Sequence, residues 1–291
     1  MDTLRKYTIF SNTLRAISKL DWGLLYFVSD VLCFFLHRII RYRRKIVRQN
    51  LVSSFPEKSI TEIKEIEKGF YHQLCDTIVE TVKLLTISKC ELGERVEVKG
   101  AANINSGCND QHPAILYTAH YGNWEWIPSI QFFYSKDIIS GEIYKPLRDK
   151  AMDKILCEIR AKMGSILIKQ KSAMRRIIEM KNRSQRFLIG FVADHRLNSP
   201  YTSFHADFLN HQSTPFATGP ERIGNHVDAR FYYLHVAKSK RGHYVFTIIP
   251  MTPRTKNSEF PFTDEYCHLL EENIKENPSL WLWSHRRWLY H

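Results

Sequence analysis

The spacing of apolar and polar positions differs between two parts of the chain, and the pattern changes near residue 100. Before it, apolar side chains recur every three or four residues, the period of an amphipathic helix. They are Ile63, Ile66, Phe70, Leu74, Ile78, Val82 and Leu85. The spacing predicts two helices over residues 60–90. Ser59 or Thr61 is suited to cap the first of them, because both carry a hydroxyl ahead of acidic residues.

Beyond Gly100, short apolar runs alternate with segments of helical spacing. The runs predict strands at 114–119, 138–143, 165–168, 186–193, 229–236 and 244–250, with helices over 147–163, 172–182 and 263–276. This alternation is typical of an α/β fold. We predict a mixed, mostly parallel sheet flanked by helices, with an N-terminal helical membrane-associated region over 1–56. The remaining domain, 57–291, divides into a helical pair (57–95) and an α/β core (96–291).

The strongest apolar run, residues 22–36, is interrupted by Ser29 and Asp30. It is shorter than the roughly 20 residues of a spanning helix, and an Asp at mid-depth adds about 2.5–3.5 kcal/mol against insertion. A basic collar follows: Arg38, Arg41, Arg43, Arg44, Lys45 and Arg48. We expect the helix to lie in or dip into the inner leaflet, with the collar on anionic headgroups. The alternative is a core helix with a solvated basic end.

Composition and charge narrow the range of partners. Hydrophobic residues make up 44% of the 291 residues, which excludes wholesale disorder. The net charge is +12, and the first 50 residues contribute ten basic and three acidic residues to it. Such an excess indicates a phosphate-bearing or acidic partner: nucleic acid, an anionic membrane or an acidic carrier protein. Nucleic acid is disfavoured, because no helix-turn-helix, zinc-finger or base-stacking signature is present.

Candidate chemistry appears where the first predicted strand of the core ends, in the run His120-Tyr-Gly-Asn-Trp-Glu125. Gly122 permits a tight turn and Asn123 can cap the following helix. His120 and Glu125 can meet across that turn, and a carboxylate that holds an imidazole makes it a general base. No G-x-S-x-G element supplies a nucleophile, so direct transfer without a covalent intermediate is expected. The alternative is a hydrogen-bonded structural histidine.

Several motifs together resemble a known family. They are HYGNWE, the YKPLRD segment at 144–149, RYRRKIVRQNL followed by SFPE, the run FLNHQSTPFATGPE, and the closing NPSLWLWSHRRW. Over nearly its whole length the sequence resembles the bacterial lipid A biosynthesis (lauroyl/myristoyl) acyltransferases, within the lysophospholipid acyltransferase-like superfamily. The form of the FLNHQSTPFATGPE run is similar to that of the Bacteroidetes branch.

The resemblance implies an enzyme of the inner membrane, at its cytoplasmic face. Such an enzyme moves a fatty acyl chain from acyl carrier protein or coenzyme A onto a hydroxyl of a lipid acceptor, with no bound cofactor or metal. His120 matches the general base and Glu125 its partner. The positions expected to bind substrate are Asn123, Lys145, Arg148, Arg160, Asp194 and Glu221. Backbone N–H groups near Gly122 are expected to stabilise the oxyanion.

Two departures from the family pattern bear on the substrate. His195 stands where the family usually has Gln, and Lys145 stands where many relatives have Arg. These changes leave the proposed base intact but leave the acceptor open. A lysophospholipid, a glycine or ornithine aminolipid, or a pigment hydroxyl are alternatives to lipid A. Thioester hydrolysis and a scaffold with an inactive site are further alternatives.

Overall fold

A seven-stranded mixed sheet forms the centre of the computed structural model, which describes residues 3–195, 203–255 and 257–288. Its strands are β1 (Val96–Lys99), β2 (Ala114–Thr118), β3 (Ile139–Tyr144), β4 (Ile166–Lys169), β5 (Phe187–Val192), β8 (Arg230–Lys240) and β9 (His243–Pro250). The strand order is β1-β9-β8-β2-β5-β3-β4. Strands β2, β3, β4, β5 and β8 run in one direction, and β1 and β9 run in the other. The predicted fold class is confirmed.

The two strands at the centre of the sheet explain why the chain folds this way. Every residue of β2 is buried, and β5 beside it carries the apolar run FLIGFV. A strand that is apolar on both faces needs cover on both faces, which helices supply in α/β proteins. In the register of this pair, Thr118 at the end of β2 lies beside Val192 at the end of β5. The residues that follow both strands therefore emerge side by side.

Ten α-helices lie in the described part of the chain. They are α1 (Thr3–Ser18), α2 (Trp22–Phe34), α3 (Arg44–Ser54), α4 (Ile60–Lys83), α5 (Lys89–Gly93), α6 (Ala101–Gly107), α7 (Lys150–Lys162), α8 (Ala173–Asn182), α9 (Gly219–His226) and α10 (Pro261–Glu276). Ser59 caps α4 through a capping box with Glu62, as the sequence predicts. The predicted helical pair is one long helix followed by the five-residue α5.

Polar contacts hold α2 against α4, and the two helices run in opposite directions. Tyr26 donates to Glu80 at 3.0 Å and Ser29 to Asp76 at 2.7 Å, while His37 contacts Glu67 at 3.1 Å. Asp30 lies beside them and pairs with Arg241 at 2.6 Å. These contacts explain the polar residues inside the apolar run, because that side of α2 faces protein.

The opposite side of α2 is an exposed apolar stripe. Its members are Leu24, Phe27, Val28, Val31, Phe34 and Phe35, and the stripe continues through Ile39 and Ile40. Within the described residues, Trp22–Ile39 is the stretch that is long and apolar enough to cross a membrane, and only 22% of it is buried. The chain then turns into the collar, where Arg41 and Arg43 adopt left-handed backbone conformations.

Two strands that the sequence patterns do not predict form a separate antiparallel hairpin, β6 (Ser203–Phe208) and β7 (His211–Ala217). The hairpin covers part of the run FLNHQSTPFATGPE and packs on α10. Polar residues and Pro215 interrupt its apolar alternation, which explains why the pattern does not indicate strands.

Candidate active site

The carboxyl ends of β2 and β5 bring His120 and Asp194 together. Each residue lies two positions beyond its strand, and the strands end in register. The Nδ1 atom of His120 lies 2.8 Å from Oδ1 of Asp194, and the backbone N–H of His120 donates to Oδ2 at 3.1 Å. An ionised carboxylate only accepts, so Nδ1 carries the proton and Nε2 keeps its lone pair. This is the arrangement of a general base.

Asp194 is itself fully enclosed and held by three donors. The indole N–H of Trp281 donates to its Oδ2 at 2.9 Å. Burial by itself would raise the pKa of this carboxyl, but the charge and hydrogen bond of His120, with the Trp281 bond, hold it well below its usual range. Asp194 therefore stays ionised and fixes the tautomer of His120. The side chain of Asp194 is buried behind the histidine, and its expected contact with substrate stays a prediction.

Glu125, the expected partner of His120, has a different neighbour. Both of its oxygens accept hydrogen bonds from Arg160, at 2.8 Å from Nε and 2.7 Å from Nη2. A bidentate guanidinium pair is strong and directional. The predicted His120–Glu125 pair is thus replaced by two separate pairs, His120–Asp194 and Glu125–Arg160. Arg160 is thus engaged by protein, and its predicted contact with substrate stays a prediction.

The turn between His120 and Glu125 is tight, as predicted, but its details differ. Gly122 has φ +64°, a conformation that favours glycine. Its N–H donates to the carbonyl of Leu280 at 2.9 Å, so it is already used and cannot serve as an oxyanion donor. The helix that follows, Trp124–Phe133, is a 3₁₀-helix containing Pro128, whose missing N–H interrupts the α-helical bonding pattern.

Asn123 does not cap that helix. Its side chain is completely buried and donates to Oε2 of Glu80 at 2.7 Å. Tyr244 donates to the same oxygen at 2.9 Å. The buried carboxylate of Glu80 on α4 therefore binds the amide of Asn123 and fixes the turn. The predicted substrate contact of Asn123 stays a prediction.

The remaining predicted substrate residues separate into two groups. Lys145 and Arg148 are exposed and follow β3, at the same edge of the sheet as His120. Their predicted contact with substrate stays a prediction. Glu221 is fully buried, and its carboxylate accepts from the N–H of Phe262 and of Thr263, at 3.2 and 2.8 Å. It holds the start of α10, and its expected contact with substrate stays a prediction.

The C-terminal motif NPSLWLWSHRRW closes over the site. The N–H of Leu282 donates to the carbonyl of His120 at 3.1 Å. Trp281 and Trp283 are buried and form part of the core. Arg287 is also buried and donates to the carbonyl of Pro215. The motif therefore positions the catalytic edge from within the fold.

Two further histidines, His195 and His285, stack with His120. The ring of His195 lies 3.8 Å from that of His120 with an interplanar angle of 8°, and His285 lies 4.1 Å from His195 at 6°. His120, Asp194 and His195 place possible metal-ligand atoms within 4.8 Å of one another. The nitrogen lone pairs of the stacked rings, however, lie in nearly parallel planes, whereas a metal needs lone pairs that converge. The arrangement suits stacking better than metal binding.

A helix-flanked α/β sheet carries a carboxylate-held histidine at the carboxyl edge of its strands, the position where α/β proteins bind their ligands. A profile of bacterial lipid A biosynthesis acyltransferases matches residues 2–290. The chain belongs to this family, and it is an acyltransferase. No curated protein matches the chain in a sequence comparison.

Proposed function

We propose that the protein transfers a fatty acyl chain from acyl carrier protein or coenzyme A to a hydroxyl of a lipid A precursor, at the cytoplasmic face of the inner membrane. The observation that carries the proposal is the pairing of His120 with the buried Asp194 at the open edge of the sheet, at 2.8 Å. Family membership supplies the reaction class. The pair supplies a base of the kind that the reaction requires.

The reaction proceeds in two proton transfers. Nε2 of His120 takes the proton of the acceptor hydroxyl as its oxygen attacks the thioester carbonyl carbon. When the carbon–sulfur bond breaks, the imidazolium returns the proton to the leaving thiolate, which yields an ester and a free thiol. Asp194 stays ionised throughout and stabilises the imidazolium, as in other histidine–carboxylate pairs.

Exposed basic residues are suited to the anionic parts of the substrates. Lys145 and Arg148 lie in the loop after β3 and are free of burial. A lipid A precursor carries phosphate, and an acyl carrier protein is acidic, so both meet favourable charge at this edge. The net charge of +12 acts in the same direction over longer range.

The apolar stripe of α2 supports docking in the membrane interface. The polar contacts between α2 and α4 occupy one side of the helix, and the exposed apolar stripe occupies the other. A helix of this kind lies along the bilayer surface with its apolar face inserted. The exposed collar residues Arg38, Arg41 and Lys45 are placed for anionic headgroups, whereas Arg44 and Arg48 pair with buried Glu67.

The acceptor is tested by mass spectrometry of lipid A and total lipid from a strain lacking the gene. Complementation uses the wild-type protein or His120→Ala. We expect lipid A to lack one acyl chain, and only the wild-type protein to restore it. Unchanged lipid A with a missing phospholipid, aminolipid or pigment ester would contradict the proposed acceptor and favour the alternative acceptors. Restoration by His120→Ala would contradict the proposed base.

A further inference from the structure

The rings of His195 and His285, which form a column with His120, are not used by the reaction as described above. The column is built from three different parts of the chain: the end of β2, the residue after Asp194, and the C-terminal segment. Two faces of His195 are covered, one by His120 at 3.8 Å and the other by His285 at 4.1 Å. Three imidazoles stacked this closely cannot all be charged, because like charges at this distance repel strongly.

The surroundings decide which ring takes the charge. Burial lowers the pKa of His195 to about 3; the charge of Asp194 opposes the shift, and His120, His285 and Arg287 add to it. Burial also lowers the pKa of His285, with Asp194 opposing and Arg287, His120 and Arg43 adding. His120 alone holds the hydrogen bond to Asp194. At neutral pH the rings of His195 and His285 are therefore neutral, and His120 is the ring of the column that a carboxylate holds.

The ring of His120 is restrained on several sides. Asp194 holds its Nδ1, Trp124 approaches its edge with the rings 5.4 Å apart at 69°, and His195 covers one face. A neutral aromatic face stabilises a cation that lies over it, more so where water is excluded. His195 is thus placed to act on the imidazolium that His120 becomes.

We propose that His195 is a positioning residue for the base: its neutral ring face fixes the imidazole of His120 and stabilises the cation formed when His120 takes a proton. His285 supports His195 from the far side. The inference rests on the proposed function, because it assigns His195 a part in that reaction. It also assigns a role to His195 at the position where Gln is usual in the family.

The test compares two apolar substitutions that differ in their ring face. His195→Leu removes the aromatic face, and His195→Phe keeps it without a titratable group. His226→Leu, at the exposed end of α9, is the matched control. The protein is labelled with ¹³C at histidine Cε1 and held in detergent micelles. The His120 resonance is identified among the 13 histidines by its absence in His120→Gln.

We expect the titration midpoint of the His120 resonance to fall by roughly half to one pH unit in His195→Leu, because the cation loses its stacked face. His195→Phe and the control should stay close to wild type. The acidic limb of the pH–rate profile for acyl transfer should move to lower pH in the same variant. If His195→Leu does not fold, His195→Gln replaces it, since an amide has no aromatic face.

Equal midpoints in the wild type, His195→Leu and His195→Phe would overturn the proposal and leave His195 as a space-filling residue. Equal falls in His195→Leu and His195→Phe would overturn it too, because the ring face would then be irrelevant. A wild-type protein that transfers no acyl chain would instead contradict the proposed function. The resonance titration would still decide the role of the column.

Discussion

Two histidines in the described part of the chain pair with a buried carboxylate, and the two pairs are nearly the same in composition. His37 contacts Glu67 between the N-terminal helices at 3.1 Å, and His120 contacts Asp194 at the edge of the sheet at 2.8 Å. Each imidazole also stacks on an aromatic ring: Tyr71 lies 4.6 Å from His37, and His195 lies 3.8 Å from His120. The pairs differ in what else the carboxylate binds.

Glu67 is shared among cations, whereas Asp194 is shared among neutral donors. Arg44 donates to Glu67 at 2.9 Å and Arg48 donates to its second oxygen. The other donors to Asp194 are a backbone N–H and the indole of Trp281. The negative charge of Asp194 therefore acts mainly on His120, while that of Glu67 is already compensated by two guanidinium groups. The comparison indicates that the other donors to the carboxylate, more than the histidine–carboxylate contact itself, distinguish a base from a structural contact.

The largest expected effect comes from changing the catalytic carboxylate. In Asp194→Asn the amide can donate toward Nδ1 of His120, which favours the wrong tautomer. We expect turnover to fall by about 10²–10⁴-fold with the fold retained, as for other histidine–carboxylate pairs. Steady-state acyl transfer with a circular dichroism spectrum checks this. Wild-type turnover in Asp194→Asn would contradict the role given to Asp194.

The matching change in the other pair should affect stability. Glu67→Gln leaves Arg44 and Arg48 without their shared buried partner. We expect the free energy of unfolding to fall by about 3 kcal/mol, as when one partner of a buried ion pair is removed. Urea unfolding measures this loss, and turnover per folded molecule should stay within about threefold of wild type. A loss of turnover like that of Asp194→Asn would erase the distinction between the two pairs.

A smaller effect on turnover is expected from Glu125→Gln. This change weakens the bidentate contact with Arg160 but leaves His120 and Asp194 in contact. We expect about a tenfold loss of kcat/KM, the size of one charge-assisted hydrogen bond. Arg160→Lys should show a similar loss, because lysine cannot form the bidentate pair. A loss as large as that of Asp194→Asn would restore Glu125 as the direct partner of the base.

The smallest effect is expected from Glu142, a buried carboxylate on β3 that is not fully hydrogen-bonded. Its Oε1 has no hydrogen-bond partner among the described residues, and burial raises its pKa to about 7, with Arg160 opposing and Glu125 adding. A raised folded-state pKa contributes stability below the unfolded value of about 4.3, and that contribution is lost as pH rises toward 7.

Glu142→Gln should therefore stabilise the protein at pH 8 relative to wild type, by on the order of 1–3 kcal/mol, and by much less at pH 4.5. Thermal unfolding of both proteins at the two pH values measures the difference. The lowered pKa values of Asp194 and Glu67 act in the opposite direction, since their contribution is lost only at acidic pH. An equal effect at both pH values would contradict the account of Glu142.

Much of the fold could be predicted from the spacing of apolar residues along the chain. The core strands predicted at 114–119 and 186–193 lie at Ala114–Thr118 and Phe187–Val192, because fully buried parallel strands leave continuous apolar runs. The hairpin of β6 and β7 leaves no such run, since polar residues and Pro215 interrupt the apolar residues of its strands. Whether 1–56 forms a separate region stays a prediction.

The candidate site was predictable in position but not in pairing. The sequence places His120 and Asp194 just past two strands that run in parallel, which is a signal that they meet. Proximity in the chain instead favours Glu125 as the partner of His120. The spacing does not indicate that the guanidinium of Arg160 binds the carboxylate of Glu125. The stacking of His195 and His285 needs the C-terminal segment to return to the sheet edge, which no local pattern predicts.

The central claim is that His120 is the base for acyl transfer and that His37, which also pairs with a buried carboxylate, is not. The most direct measurement is the acyl-transfer rate of His120→Ala beside that of His37→Ala, each corrected for its folded fraction. We predict a loss of about 10²–10⁴-fold for His120→Ala and a rate within about threefold of wild type for His37→Ala. Transfer by His120→Ala at a near-wild-type rate, or equal losses in both variants, would contradict the account.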